Sequence, residues 1–285
     1  MLRSLYSVIS GMKNLQTKMD VISNNISNVN TTSFKTGRVR FEDMISQSLE
    51  GAQANINGKQ VGLGMQLGSI DTVMTSGSLQ STGRDLDFGI ETGENSFFAV
   101  SSNGTDADVL YTRDGGFYMN ADNEFITASG YQVLGRMLDV PVEYTGTAPA
   151  ALETGNLQGI SIPQLNNGIK LDSYSVDSSG LILGVYNDKV MVVGQMMLTN
   201  FSNAGGLEKT GGNMYRSTLN SGQPIVGSAG SEGYGKIRSG FLEMSNVDLS
   251  NEFTEMIVAQ RAYQASSRSI STSVQMLEEL LALKR

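Results

Sequence analysis

Residues 5–29 read LYSVISGMKNLQTKMDVISNNISNV, and this stretch decides the architecture. Leu5, Met12, Met19 and Ile26 recur at one position of a seven-residue repeat. Val8, Leu15, Ile22 and Val29 recur at the other. All eight positions are apolar, while the intervening ones are largely Ser, Asn, Gln, Lys and Asp. A mean spacing of 3.5 residues lays one narrow apolar stripe along a helix, the pattern of a coiled-coil seam. The spacing predicts a helix over 5–29, roughly 37 Å long at 1.5 Å per residue. Asn30, Thr31, Thr32 and Ser33 end it.

The other end of the chain repeats the pattern. Leu249, Met256, Tyr263, Ile270 and Leu277 form one row, and Phe253, Gln260, Ser267, Val274 and Leu281 the second. Gln260 and Ser267 weaken that second row in its middle. Ser245 and Asp248 have capping-box spacing ahead of the helix. Glu252 and Glu255 lie early and Lys284 and Arg285 last, which suits the helix dipole.

Between the helices the chemistry changes. Short runs rich in β-branched and aromatic residues (97–100, 109–112, 117–119, 125–127, 174–176, 181–186 and 190–201) alternate with turn residues. Those turns include Asn103-Gly104, Asp114-Gly115-Gly116, Ala121-Asp122-Asn123, Asp177 to Gly180 and Asn187-Asp188. Such punctuation predicts an antiparallel meander or barrel. The expected class is α+β, with long terminal coiled-coil helices flanking an all-β, sandwich- or barrel-like centre. The expected divisions are 1–30 with 246–285 as the helical domain, 31–69 as an extended connector, and 70–245 as the β domain.

Composition narrows the function. With 39% hydrophobic residues a core can form, and 17% charged residues with a net charge of -8 disfavour nucleic acid. There is no polybasic run and no long apolar stretch, so no membrane insertion is expected. Residues 1–20 lack the unbroken apolar core of a signal peptide. The chain has no His and no Cys, which removes Ser-His-Asp and Cys-His nucleophiles and His- or Cys-ligated zinc. Gly230 to Lys236 has P-loop spacing up to its Lys, but Ile237 stands where the metal-binding hydroxyl belongs. Asp85 and Asp87 alternate, which more often holds a turn than performs acid/base chemistry. No enzyme activity, cofactor or metal is expected. Two narrow seams at opposite ends of one chain suit packing between subunits, so the chain reads as a self-assembling structural protein.

Particular residues carry a resemblance. Val21-Ile22-Ser23-Asn24-Asn25-Ile26-Ser27-Asn28-Val29, continued by Ser33-Phe34-Lys35, is similar to the N-terminal signature of bacterial flagellar rod and hook proteins. Gly240 to Leu249, with Glu243, Asn246 and Asp248, and then Glu252 to Gln264, resembles their C-terminal signature. Thr82 to Ile90 and Tyr111-Thr112-Arg113-Asp114-Gly115 resemble the start of their β domain. The resemblance implies an axial subunit that polymerises helically into a hollow tube with copies of itself. It implies neighbours among rod and hook–filament junction proteins, a hook cap, and delivery to the flagellum by the type III export apparatus without a cleaved leader. Lys59 to Gly64 and Thr82 to Ile90 favour a flexible hook that joins rod to filament and transmits torque. The alternative is the distal rod subunit, which likewise has no second outer domain near residues 140–170.

Overall fold

The structure, a computed structural model, describes residues 2–51, 58–105, 108–146, 149, 152, 155–163, 165–166 and 169–283. It divides into two compact units, one of residues 1–29, 36–73 and 247–285, the other of residues 30–35 and 74–246.

The first unit is built on two helices, α1 (Leu2–Ser27) and α2 (Leu249–Ala282). Cross-contacts pair Lys18 with Glu255 and Asn25 with Glu252, so rising numbers in α1 meet falling numbers in α2. The helices are antiparallel. Asp248 caps α2, its carboxylate accepting from Ser250 N at 2.9 Å and Asn251 N at 3.4 Å. The expected box beginning at Ser245 therefore gives way to a cap three residues later. Asp248 is the first residue whose side chain reaches the free N–H groups of the helix start. Lys284 and Arg285, the expected basic residues at the far end, lie outside the described residues.

The stretch 31–69 does more than connect. Gly37–Asp43 and Met65–Thr72 form an antiparallel ladder with a bulge at Arg40/Phe41. Ser46–Glu50 and Lys59–Gly62 pair as a second ribbon whose described residues are all exposed. In the first ladder Gly37, Val39 and Phe41 are half-buried while Arg38, Arg40 and Glu42 are exposed. That alternation is the period of a strand covered on one face. Asn14 of α1 donates to the Met65 carbonyl at 2.7 Å, tying helix to ladder.

Among the described residues, the second unit centres on a thirteen-stranded sheet whose pairings are antiparallel. Its central strand, Ser96–Ser101, is buried at every residue. Phe98 and Val100 enter one apolar cluster with Phe88, Phe117, Phe125, Val133 and Leu198. Phe97 and Ala99, on the opposite face, enter another with Tyr111, Leu134, Phe201 and Tyr215. Successive side chains of a strand point to opposite faces, so this sheet carries a core on both. Phe98 meets Phe117 edge-on at 5.3 Å between centroids, and Tyr111 meets Phe201 at 4.7 Å. The Asn187-Asp188 turn has φ of 51° and 63° and joins Tyr186 to its partner Lys189, as a two-residue type I′ hairpin requires. The fold is thus α+β, mostly β with a helix at each end.

Two features singled out for chemistry prove structural. Asp87 is buried and accepts from Thr82 Oγ1 at 2.6 Å and Arg84 Nη1 at 3.4 Å, while Asp85 is exposed. They share no face. After Lys236 the chain runs on as the strand Lys236–Ser239, so no helix N-terminus faces the preceding glycines.

Candidate assembly interface

The seam residues of α1 do what an amphipathic stripe does. Ile22 is buried, and Leu5, Val8, Met12, Leu15, Met19, Ile26 and Val29 are half-buried. None is exposed.

On α2 the two rows part company. Met256, Tyr263, Ile270 and Leu277 are half-buried, although Leu249 is exposed. The second buried row consists of Glu252, Ala259, Ser266 and Ser273, one residue before the row that spacing suggested. Ala259 is buried and is followed by Ala262 and Ser266, all small. Small side chains permit close helix approach. Phe253, Gln260, Ser267, Val274 and Leu281 are instead exposed. Phe253 is 50% exposed, and its neighbours Ile257 and Val258 are each 57% exposed. A second exposed set follows, Val274 and Leu281 on one side of the helix and Met276 and Leu283 on the opposite side. Gln260, Arg261, Gln264, Ser267, Arg268 and Ser271 separate the two groups with polar surface. The α2 helix therefore carries exposed apolar side chains besides the row that is satisfied within the chain. Exposed apolar side chains set side by side, as Phe253, Ile257 and Val258 are, suit an interaction surface.

The signature asparagines have distinct tasks. Asn25 is buried; its amide donates to the Gly37 carbonyl at 2.9 Å and its Oδ1 accepts from Gly37 N at 3.0 Å. The same amide donates to Glu252 Oε1 at 3.2 Å. One side chain thus fixes α1, the first strand of the ladder and the start of α2. Burial raises the Glu252 carboxyl above its ordinary range, against the Asn25 hydrogen bond that lowers it. A Cβ at Gly37 would come within 3.3 Å of Val21 Cγ1, tighter than ordinary contact, so the helix packs close to the strand here. Asn24 is exposed, and Asn28 donates to its carbonyl at 2.9 Å, closing the end of α1. Asn246 donates to the Thr75 carbonyl at 3.2 Å in the second unit.

Asn25→Ala removes both bonds to Gly37 and leaves its half-buried N–H and carbonyl without that partner. The expected cost is about 2–4 kcal/mol to the first unit, from one to two unsatisfied backbone groups. Urea unfolding followed by helical circular dichroism measures it; an unchanged midpoint would contradict this role.

Three signature stretches meet in the second unit, which the sequence alone did not reveal. Glu243 Oε1 accepts from Lys35 Nζ at 2.6 Å and from Gly77 N at 2.9 Å, and Oε2 accepts from Arg113 Nε at 2.7 Å. All three charged side chains are 0% exposed. Arg113 Nη1 also donates to the carbonyls of Gly93, Glu94 and Ser96, and Lys35 Nζ to that of Thr75. Burial alone pushes the Glu243 carboxyl up, but Arg113 and Lys35 outweigh it and hold it below the usual range. Burial pushes the nearby Tyr215 hydroxyl up to about 12, so it stays protonated. Among the described residues no group of His, Cys, Asp and Glu is placed to hold a metal, and no helix is long and apolar enough to cross a membrane.

With this geometry in place, comparison with known proteins is decisive. The chain is 44% identical to the flagellar basal-body rod protein FlgG of Bacillus subtilis (strain 168) over 295 residues, covering all of both chains. The chain belongs to the flagellar rod and hook protein family. Family models match in three places: flagella basal body rod protein at residues 5–35, the flagellar hook protein FlgE/F/G D1 domain at 93–184, and the flagellar basal body rod FlgEFG protein C-terminal region at 238–283. The rod protein FlgG of Borreliella burgdorferi is 38% identical over 292 residues, again with complete coverage. The hook protein FlgE of the same organism is 29% identical over 446. As a rod and hook family member, the chain is a structural protein and not an enzyme.

Proposed function

We propose that the chain is a rod subunit of the flagellar basal body, at the distal rod, and that the hook assignment favoured by sequence reading is the lesser alternative. One observation carries this. The rod relatives align end to end in 292–295 positions, whereas the hook relative needs 446 positions to accommodate this chain of 285 residues. The hook proteins therefore contain well over a hundred positions that have no counterpart here.

The subunit polymerises with copies of itself. Its α1–α2 pair supplies a preformed antiparallel element, and the outer face of α2 supplies the unsatisfied apolar surface. A contact between different patches on successive copies does not close on itself and builds a helix. The seam residues act in two groups, those that join α1 to α2 within the subunit and those of Phe253, Val274 and Leu281 that meet a neighbour. Coiled-coil packing across that second group, neighbours along the flagellar axis, and delivery by the export apparatus complete the proposal.

Deletion of the gene, with electron microscopy of isolated basal bodies, tests it. Rods missing their distal part are expected. Complete rods without hooks would restore the hook reading, and a normal flagellum would refute both.

A further inference from the structure

The buried ionic node sits among aromatic side chains, where charge is expensive. Arg113 lies 5.9 Å from the centroid of the Phe97 ring, and Tyr215 packs on that ring at 5.8 Å. Two cations are buried there, and among the described residues Glu243 is the only carboxylate within salt-bridge distance of either. Lys35 and Arg113 belong to the early part of this unit. Glu243 arrives last in sequence, 208 residues after Lys35 and 130 after Arg113. It ends the final strand of the unit, Phe241–Glu243, which pairs with Leu79–Ser81.

Glu243 also orders backbone. Its Oε1 holds Gly77 N, and a Cβ on Gly77 would collide with the Met244 carbonyl, so this turn lies flat against the last strand. Arg113 in turn draws together the carbonyls at 93, 94 and 96, the last of them at the start of the central strand. Desolvating two cations without their anion opposes burial of everything around them. A folding transition state normally buries most of the surface that the native state buries. Closing the apolar cluster of Phe97, Tyr111, Phe201 and Tyr215 ahead of the node would bury both cations without their anion.

We propose that the Lys35–Glu243–Arg113 node is a folding gate, which holds the β unit open until its last strand delivers Glu243. The unit is then committed only when both sequence ends of the β body are in place, and an incomplete chain stays unfolded.

The test is refolding and unfolding kinetics of the full chain at a dilution that keeps it monomeric. Tyrosine fluorescence serves as the probe, since the chain has no Trp and Tyr111 and Tyr215 lie in the adjoining cluster. Glu243→Gln keeps the shape and removes the charge. Refolding at least about tenfold slower is expected, with the unfolding rate changed by less than about twofold, because a contact made in the transition state acts on the folding limb. A loss confined to the unfolding limb would overturn the gate and leave a merely stabilising ion pair. If Glu243→Gln does not fold, the variant Lys35→Met, Arg113→Met, Glu243→Leu decides. It carries no charge to desolvate and should refold faster than the natural chain; equal or slower refolding would overturn the proposal.

Discussion

Phe253→Asp combined with Ile257→Asp should abolish polymerisation while leaving the subunit folded. Both side chains are half-exposed or more within the subunit, so neither change disturbs its own core. They lie one helical turn apart and share a face. Burying a large apolar side chain contributes about 1.5–3 kcal/mol. About half of each side chain is already covered within the subunit, so losing the two removes about 1.5–3 kcal/mol from each repeated contact, roughly one to two orders of magnitude in the concentration needed to assemble. Two carboxylates placed in the same contact add a desolvation penalty. Sedimentation and electron microscopy read assembly, and circular dichroism of the same samples reads the fold. Normal polymers from this variant would mean that the outer face of α2 is not an assembly surface. Ile22→Asp would be a weaker probe. Ile22 is buried inside the first unit, so its loss of assembly would be mixed with loss of that unit's fold.

Arg113→Ala carries the other large effect, this time on stability. Breaking a buried pair by removing one partner costs about 3–5 kcal/mol, a large share of the 5–15 kcal/mol typical of a domain. The urea midpoint of the β unit should fall accordingly. Arg84→Ala is the contrast: Arg84 is 41% exposed beside Asp87, so its loss should cost less than that of the fully buried Arg113. Equal shifts from the two would refute the weight placed on the node. The node also sets the sign of the acid response. Glu243 sits below its ordinary 4.5 in the folded chain, so its contribution is fully present above that value. It is lost as the pH falls below 4.5 and through the lower folded value. Arg113→Ala should flatten that part of the pH profile.

Much of this was legible beforehand, for stated reasons. The stripe of α1, seven of its eight positions on the helix and Val29 in the turn after it, needs only a period, and a period is local. The strands at 109–112, 117–119, 125–127 and 181–186 have the bounds that their turn residues imposed. The register of α2 was harder. Its inner row is Glu252, Ala259, Ser266 and Ser273, chosen for size rather than hydrophobicity, so a search for apolar residues moves one position along. The ladder at 37–43 did carry a signal, the alternation of Val39 and Phe41 with Arg38, Arg40 and Glu42. The glycine- and asparagine-rich stretch that follows it obscured the pairing with 65–72. The node was invisible because nothing local links Lys35, Arg113 and Glu243. Each stood inside a recognisable signature, yet only the closed sheet brings them within hydrogen-bonding distance.

The polar interval on the outer face of α2 has a mechanical consequence. From Phe253 to Val274 is roughly 31 Å of helix at 1.5 Å per residue, with adhesive surface at the two ends and wettable surface along the span. A bar fastened at two separated points resists tilting far better than one held at its middle. Its unglued span still admits small shear without breaking either fastening. If this surface meets a neighbouring copy, as proposed, such spacing would let each copy keep its angle to the axis while neighbouring copies share the strain.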